Sequence, residues 1–121
     1  MRRIQILMLI LFTCFVSAAW SQAHAETKGQ FTTIDVAGAA ATLAFANNPG
    51  GAIAGTYLAP PYYSFQGFLR AKDGTISTFD APDAGTFYPE GTTGQSINPA
   101  GAIAGNYTDA GNVNHGFLRD P

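Results

Sequence analysis

The stretch NPGGAIAGTY at Asn48–Tyr57 returns as NPAGAIAGNY at Asn98–Tyr107, with eight of the ten positions identical. A chain that repeats a ten-residue phrase after fifty residues is built from copies of one module, so whatever fold one copy adopts the other has to reproduce. Two further matches keep the same order. FTTID (Phe31–Asp35) answers to ISTFD (Ile76–Asp80), and GFLR occurs at both Gly67–Arg70 and Gly116–Arg119. These matches divide the chain into a first unit over residues 31–75 and a second over 76–121, behind a polar lead-in at 26–30. The period lies in the range of propeller blades.

Inside each unit the hydrophobic period is two. In GAIAGTY, Ile53, Gly55 and Tyr57 fall on one face and Ala52, Ala54 and Thr56 on the other, as a strand requires. The β-branched and aromatic runs FTTIDV and TISTFD also suit strands. Turn residues separate these runs: Asn48-Pro49-Gly50-Gly51, Asp73-Gly74, Asn98-Pro99-Ala100-Gly101 and Asp109-Ala110-Gly111-Asn112. The pattern predicts four strands per unit: Phe31–Val36, Thr42–Ala46, Ala52–Leu58 and Gln66–Ala71, then Thr75–Ala81, Gly94–Asn98, Ala102–Thr108 and His115–Arg119. Ala39–Ala46 is rich in a helix-favouring residue, but its length and the Asn-Pro-Gly stop point to strand or loop. The expected fold is therefore all-β, two four-stranded blade-like units in an incomplete propeller or a small sheet array. The recurring residues Asn48, Gly51, Ile53, Gly55, Tyr57, Gly67 and Phe68, with Asn98, Gly101, Ile103, Gly105, Tyr107, Gly116 and Phe117, read as its structural signature. Gly51 and Gly101 mark turn-to-strand junctions. Gly55 and Gly105 mark places where a neighbouring backbone or ring packs close.

The order N-x-x-G-x-I-x-G-x-Y, then [HQ]-G-F-L, a D-G-T hairpin and F-T-T-x-D resembles the extracellular HAF repeat family of bacterial exported proteins. The likeness runs from Phe31 to Arg119. It carries His115-Gly116-Phe117-Leu118 in the second unit and Gln66-Gly67-Phe68-Leu69 in the first. A D-x-P-G-A element is degraded to Asp35-Val36-Ala37-Gly38-Ala39 and Asp80-Ala81-Pro82-Asp83-Ala84. The resemblance implies a propeller-like architecture and an exported address, and it brings no catalytic residue. A propeller closes with about 4–8 four-stranded blades, and two units supply two. A truncated reading frame or incomplete array, several chains pairing into a ring, and two small sheets or a barrel are the ways to reconcile these. The first is the favoured expectation, because an open array leaves sheet edges that proteins usually cover.

The N-terminus predicts the compartment. Arg2 and Arg3 precede the uncharged run Ile4–Trp20, and Ala23 and Ala25 form an A-x-A exit. That order is a secretory signal over residues 1–25, cleaved after Ala25, for a secreted or periplasmic protein. The seventeen-residue run, interrupted by Gln5, Thr13 and Ser17, is shorter than the ~20 residues of a membrane span. Cys14, the single cysteine, lies inside this run, where Phe12 and Thr13 before it and Phe15 and Val16 after it do not suit lipidation. Cleavage would leave no thiol, disulfide or thiolate metal site. It would also leave four cations (Lys28, Arg70, Lys72, Arg119) against eight acids, a net charge of −4. No basic patch remains to neutralise phosphates, so nucleic acid is not an expected partner.

Candidate reactive groups each have a plainer structural role. Asp35 and Asp80 could pair as glycosidase carboxylates, which would make the protein a secreted polysaccharide hydrolase or lyase. They occupy equivalent repeat positions, however, where Asp more often caps a turn. His115 aligns with Gln66, and His24 leaves with the signal, so one imidazole remains and no multi-histidine zinc site can form. Asp109, Asn112 and Asn114 offer oxygens for Ca²⁺, but no terminal Glu follows in the EF-hand order. Asn106-Tyr107-Thr108 matches the N-glycosylation pattern inside a predicted strand. No cofactor, metal or catalytic residue is expected. The remaining candidates are aromatic: Tyr62, Tyr63 and Phe65 in LAPPYYSFQ, and Phe87 and Tyr88 in the insertion 85–94. On loops above a β scaffold such rings form a platform for sugar rings or partner side chains. Rings folded inward as lids over a small core are the favoured arrangement on buried area alone. A non-catalytic binding or structural module follows, with a glycan, another exported protein or a second copy of itself as the partner.

Overall fold

A computed structural model describes residues 28–121. The predicted signal, its expected cleavage site and Cys14 lie outside the described residues. Seven strands account for the regular structure, and there is no helix among the described residues. They are β1 (Ala41–Asn47), β2 (Ile53–Ala59), β3 (Ser64–Arg70), β4 (Ile76–Phe79), β5 (Gly91–Ile97), β6 (Ile103–Thr108) and β7 (Asn114–Arg119). β1 to β4 form an antiparallel meander, β5 to β7 form a second, and one parallel bridge, Phe65 to Gly91, joins them into a curled sheet.

The duplication is reproduced in the register. β1 pairs β2 with Ala44 opposite Gly55, then slips one residue so that Ala46 faces Ala54. β5 pairs β6 with Gly94 opposite Gly105, then slips so that Ser96 faces Ala104. The same bulge thus recurs fifty residues on, at Phe45 and Gln95. Gly55 faces Phe68 across β3 and Gly105 faces Phe117 across β7. A Cβ on Gly55 would overlap the Leu43 carbonyl oxygen and press on the Phe68 ring, and one on Gly105 would overlap the Thr93 carbonyl and press on Phe117. Only hydrogen fits at either place. The turns also coincide. Asn48 Oδ1 accepts from the Ala52 N–H at 3.0 Å and Asn98 Oδ1 from the Ala102 N–H at 2.9 Å, while Gly51 and Gly101 take φ of 84° and 93°.

One predicted strand is absent. Phe31–Val36 has no ladder partner and no strand conformation, and the repeat explains why. Its counterpart Ile76–Phe79 is β4, which draws its hydrogen bonds from β3, the strand before it in the chain. Among the described residues no strand precedes Phe31 to play that part. The segment nevertheless keeps its packing role. Ile34 and Val36 lie on the β2–β3 face with Tyr57 and Phe68, joined by Ala39, Ile53, Ala59 and Ile76. The Val36 N–H donates to Thr42 Oγ1 at 3.0 Å just as the Ala81 N–H donates to Thr92 Oγ1 at 2.9 Å. Residues 33–36 therefore cover the first copy as the end of β4 covers the second.

The two copies meet along a second core. The Phe79 ring lies over Gly67 and meets Phe117 edge-on at 6.1 Å. Ala54 and Ile103 are fully buried, as is Phe68 in the first core, a side chain whose burial stabilises the fold by about 3 kcal/mol. The Thr56 hydroxyl sits between the carbonyl oxygens of Gln66 (2.8 Å) and Thr92 (3.0 Å), and Asn48 Nδ2 donates to the Asn98 carbonyl at 3.1 Å. Among the described residues no buried side-chain polar atom lacks a partner, as a core of this size requires.

Candidate functional site

The irregular segments of the two meanders converge on one aromatic cluster. The β2–β3 connection, Pro60–Tyr63, has a cis Pro60–Pro61 bond and a left-handed Tyr63 at φ 57°. The β4–β5 connection spans residues 80–90 and has a cis Tyr88–Pro89 bond. Backbone hydrogen bonds fasten the two. The Tyr88 N–H donates to the Tyr62 carbonyl at 3.2 Å and the Phe65 N–H to the Glu90 carbonyl at 3.0 Å. Glu90 also ties its own loop, its Oε2 accepting from the Phe87 N–H at 3.1 Å. The Gly85 N–H donates to the Thr108 carbonyl at 2.9 Å, anchoring the start of the insertion to β6.

Held this way, Tyr62 and Phe87 approach to 4.8 Å between ring centroids, and Phe65 and Tyr88 to 5.9 Å, both tilted. Four of the five predicted aromatics are therefore brought together, Tyr62, Phe87 and Tyr88 from the two loops and Phe65 from the start of β3. Tyr63, although exposed, pairs with no ring among the described residues. The loop rings do not fold inward, Tyr62, Phe87 and Tyr88 being 58%, 56% and 64% exposed, whereas Phe65 is half-buried. The reason lies in the core, because Phe79, Phe117 and Ile103 already fill the seam and the first copy is closed by Ile34 and Val36. Glu90 was not singled out by sequence reasoning, since a lone acid in an insertion carries no spacing signal. Its role as a latch is visible only in three dimensions.

The other candidates resolve into structural parts. The Asp80 carboxylate accepts from the Thr92 hydroxyl. Burial, the largest influence, pushes its carboxyl above the ordinary value, while the hydrogen bonds from Thr92 and the Ala81 N–H act in the opposite sense. No hydrogen bond joins it to Asp35; each stands at the same point of a different copy. His115 stacks on Tyr107 at 4.9 Å, and its Nε2 lies 3.0 Å from Asp109 Oδ2. In the first copy Gln66 instead accepts from the Tyr57 hydroxyl. Asp109 Oδ1 accepts from the N–H groups of Gly111 (2.8 Å) and Val113 (2.9 Å). The His115 hydrogen bond first, then the Val113 N–H, hold its carboxyl below the ordinary value. Of the oxygens considered for Ca²⁺, those of Asp109 are thus engaged at a turn, and that of Asn114, the first residue of β7, accepts from Asn106 Nδ2 at 3.2 Å.

A cleft of about 270 Å³ opens beside the outer edge of β7, lined by Phe79, Asp80, Ala81, Pro82, Phe117, Leu118 and Arg119. The Arg119 guanidinium lies 5.1 Å from the Phe79 ring centroid, within cation–π range. Among the described residues no group of three or more His, Cys, Asp or Glu is placed to hold a metal, and no helix is long and apolar enough to cross a membrane. A scan against protein-family models and searches of curated proteins and of solved structures return no match.

Proposed function

We propose that this chain is an exported, HAF-like repeat protein that binds glycan without altering it. The observation that carries the reading is the aromatic cluster of two tilted ring pairs. In it the exposed Tyr62, Phe87 and Tyr88 come from two loops that backbone hydrogen bonds hold in place, and Phe65 from the start of β3. Sugar rings present apolar C–H faces that stack on aromatic faces without requiring charge, which suits a surface of this kind. The phenol groups of Tyr62 and Tyr88 and the carboxylate of Glu90 supply hydroxyl partners at its rim. Rigid loops lower the ordering cost of binding. Of the two carboxylates a hydrolase would use, Asp80 is engaged by the Thr92 hydroxyl and no hydrogen bond joins it to Asp35, which favours binding over turnover. The basic start, apolar run and A-x-A exit support export.

The test uses the full chain expressed in a secreting host, with the released protein sequenced from its N-terminus and assayed on a polysaccharide panel. The expected N-terminus is Glu26. Affinity electrophoresis is expected to show retardation by at least one polysaccharide, weakened about tenfold by Tyr62→Ala or Tyr88→Ala, the ~1.4 kcal/mol expected of an anchoring ring. Hydrolysis products, or retardation indifferent to both substitutions, would defeat the reading. A start other than Glu26 would remove the export assignment alone.

A further inference from the structure

The two copies are not equally covered, and the difference specifies an occupant. In the first copy the outer edge of β3 is paired by β4, with Gly67 opposite Phe79, Phe68 opposite Thr78, Leu69 opposite Ser77 and Arg70 opposite Ile76. Ile76 then packs, as Ile34 does, against the cluster of Val36, Tyr57 and Phe68. In the second copy β7 is the counterpart of β3, and among the described residues nothing pairs with its outer edge. Leu118, the counterpart of Leu69, is 72% exposed. The 270 Å³ cleft between β7 and Phe79–Pro82 is lined by Ala81 and Phe117, the repeat counterparts of Val36 and Phe68 in the core that Ile76 packs against in the first copy. It is small for a free ligand site, which normally exceeds about 300 Å³, and of the size of one large side chain.

The chain itself carries the missing piece. Phe31–Asp35 is the repeat counterpart of Ile76–Asp80, it lacks a ladder partner, and Phe31 is fully exposed. Residues 33–36 already lie against the first copy as the end of β4 lies against the second. We infer that a second copy of the chain docks here: its Phe31–Ile34 adds as an antiparallel strand to β7, and its Phe31 ring fills the cleft. The β3–β4 register transfers directly, setting Gly116 opposite Ile34, Phe117 opposite Thr33, Leu118 opposite Thr32 and Arg119 opposite Phe31 of the incoming chain. Backbone pairing supplies affinity, and the cleft supplies selectivity for an aromatic residue. The step from chain to chain repeats the step from copy to copy, so the contact is heterologous. It closes if the rotation completes a ring, and propeller closure at about 4–8 blades corresponds to two to four chains.

Sedimentation analysis of the protein purified after expression of the full chain tests this. A discrete assembly of two to four chains, or a mass that grows with concentration if the ring does not close, is expected. Phe31→Asp and Leu118→Lys, both at exposed positions and so without cost to the fold, should each return it to monomer. In a Cys14→Ser background, Thr32→Cys with Leu118→Cys should cross-link between chains on oxidation. Thr33→Cys with Leu118→Cys should not, because a one-residue step turns the thiol to the other face. A monomer at every concentration would overturn the inference. So would an assembly indifferent to both charged substitutions, or cross-linking that ignores the register.

Discussion

Gly55→Ala is the sharpest test of the repeated close approach. The added methyl would overlap the backbone carbonyl of Leu43 and press on the Phe68 ring at 2.7 Å. A long side chain could swing away, but a carbonyl in the β1–β2 ladder moves only if the strand moves, and Phe68 is fully buried. Overpacking a core usually costs about 1–3 kcal/mol, and the fixed neighbours place this site at about 3 kcal/mol. The alanine recovers about 0.4–1 kcal/mol by restricting the unfolded chain, leaving a net loss of about 2 kcal/mol. For a domain of this size that is roughly 8–16 °C in Tm, read by far-UV circular dichroism during heating. Gly105→Ala should match it, because the Thr93 carbonyl and the Phe117 ring reproduce the same enclosure. Gly50→Ala, whose Cβ would come no nearer than 3.4 Å to Asn48 Oδ1, serves as the control within about 0.5 kcal/mol. A Gly55→Ala protein as stable as this control would refute the argument that the repeat encodes a steric requirement.

The two turn asparagines should differ. Asn48→Ala removes both the turn bond to Ala52 and the cross-copy bond to the Asn98 carbonyl at a buried site, for a loss of about 1–3 kcal/mol in equilibrium denaturation. Asn98→Ala removes only an exposed turn bond, for about 0.5–1.5 kcal/mol. The Asp109 carboxyl titrates below its ordinary value, so in acid the unfolded chain takes up the proton first. Its contribution is therefore complete above about pH 3.9, the unfolded value, and is lost as pH falls through the depressed folded value. The Tm advantage of the parent over Asp109→Asn should shrink on acidification across that window; an advantage that grew would reverse the sign.

Six of the eight predicted strands overlap the observed ones by several residues, and a seventh, Thr75–Ala81, is trimmed to Ile76–Phe79. Period-two alternation and turn residues are local signals, and here each was stated twice. The bulge at Phe45 and Gln95 was not legible, because an unpaired residue leaves no mark on alternation until its partner strand is known. Phe31–Val36 shows the opposite limit. Its residues favour a strand, but a strand exists only where another offers a ladder, and the repeat unit as hydrogen-bonded runs from β1 to β4 instead of beginning at Phe31. The aromatic candidates were legible as residue types. Their outward orientation depends on which other rings had already filled the seam, and no local pattern records that.

The comparison between copies separates scaffold from site. Where the copies coincide, at the Asn48 and Asn98 turns, the bulges and the glycine–ring contacts, the chemistry is steric or closes a backbone hydrogen bond, and it explains folding alone. Where they differ, the two loops behave differently. The second copy turns from β6 to β7 on Asp109, whose carboxylate satisfies its own backbone N–H groups and leaves a polar tip. The first copy turns from β2 to β3 on Pro60-Pro61-Tyr62-Tyr63, which offers few donors and two rings. That loop is held from outside by Tyr88 of the long connection, whose N–H donates to the Tyr62 carbonyl. That turn spends its side chains on the solvent-facing rings of Tyr62 and Tyr63, where the Asp109 turn closes on its own backbone. If the rings bind glycan as proposed, the loops that carry them are where substitution should alter recognition while leaving the sheet intact.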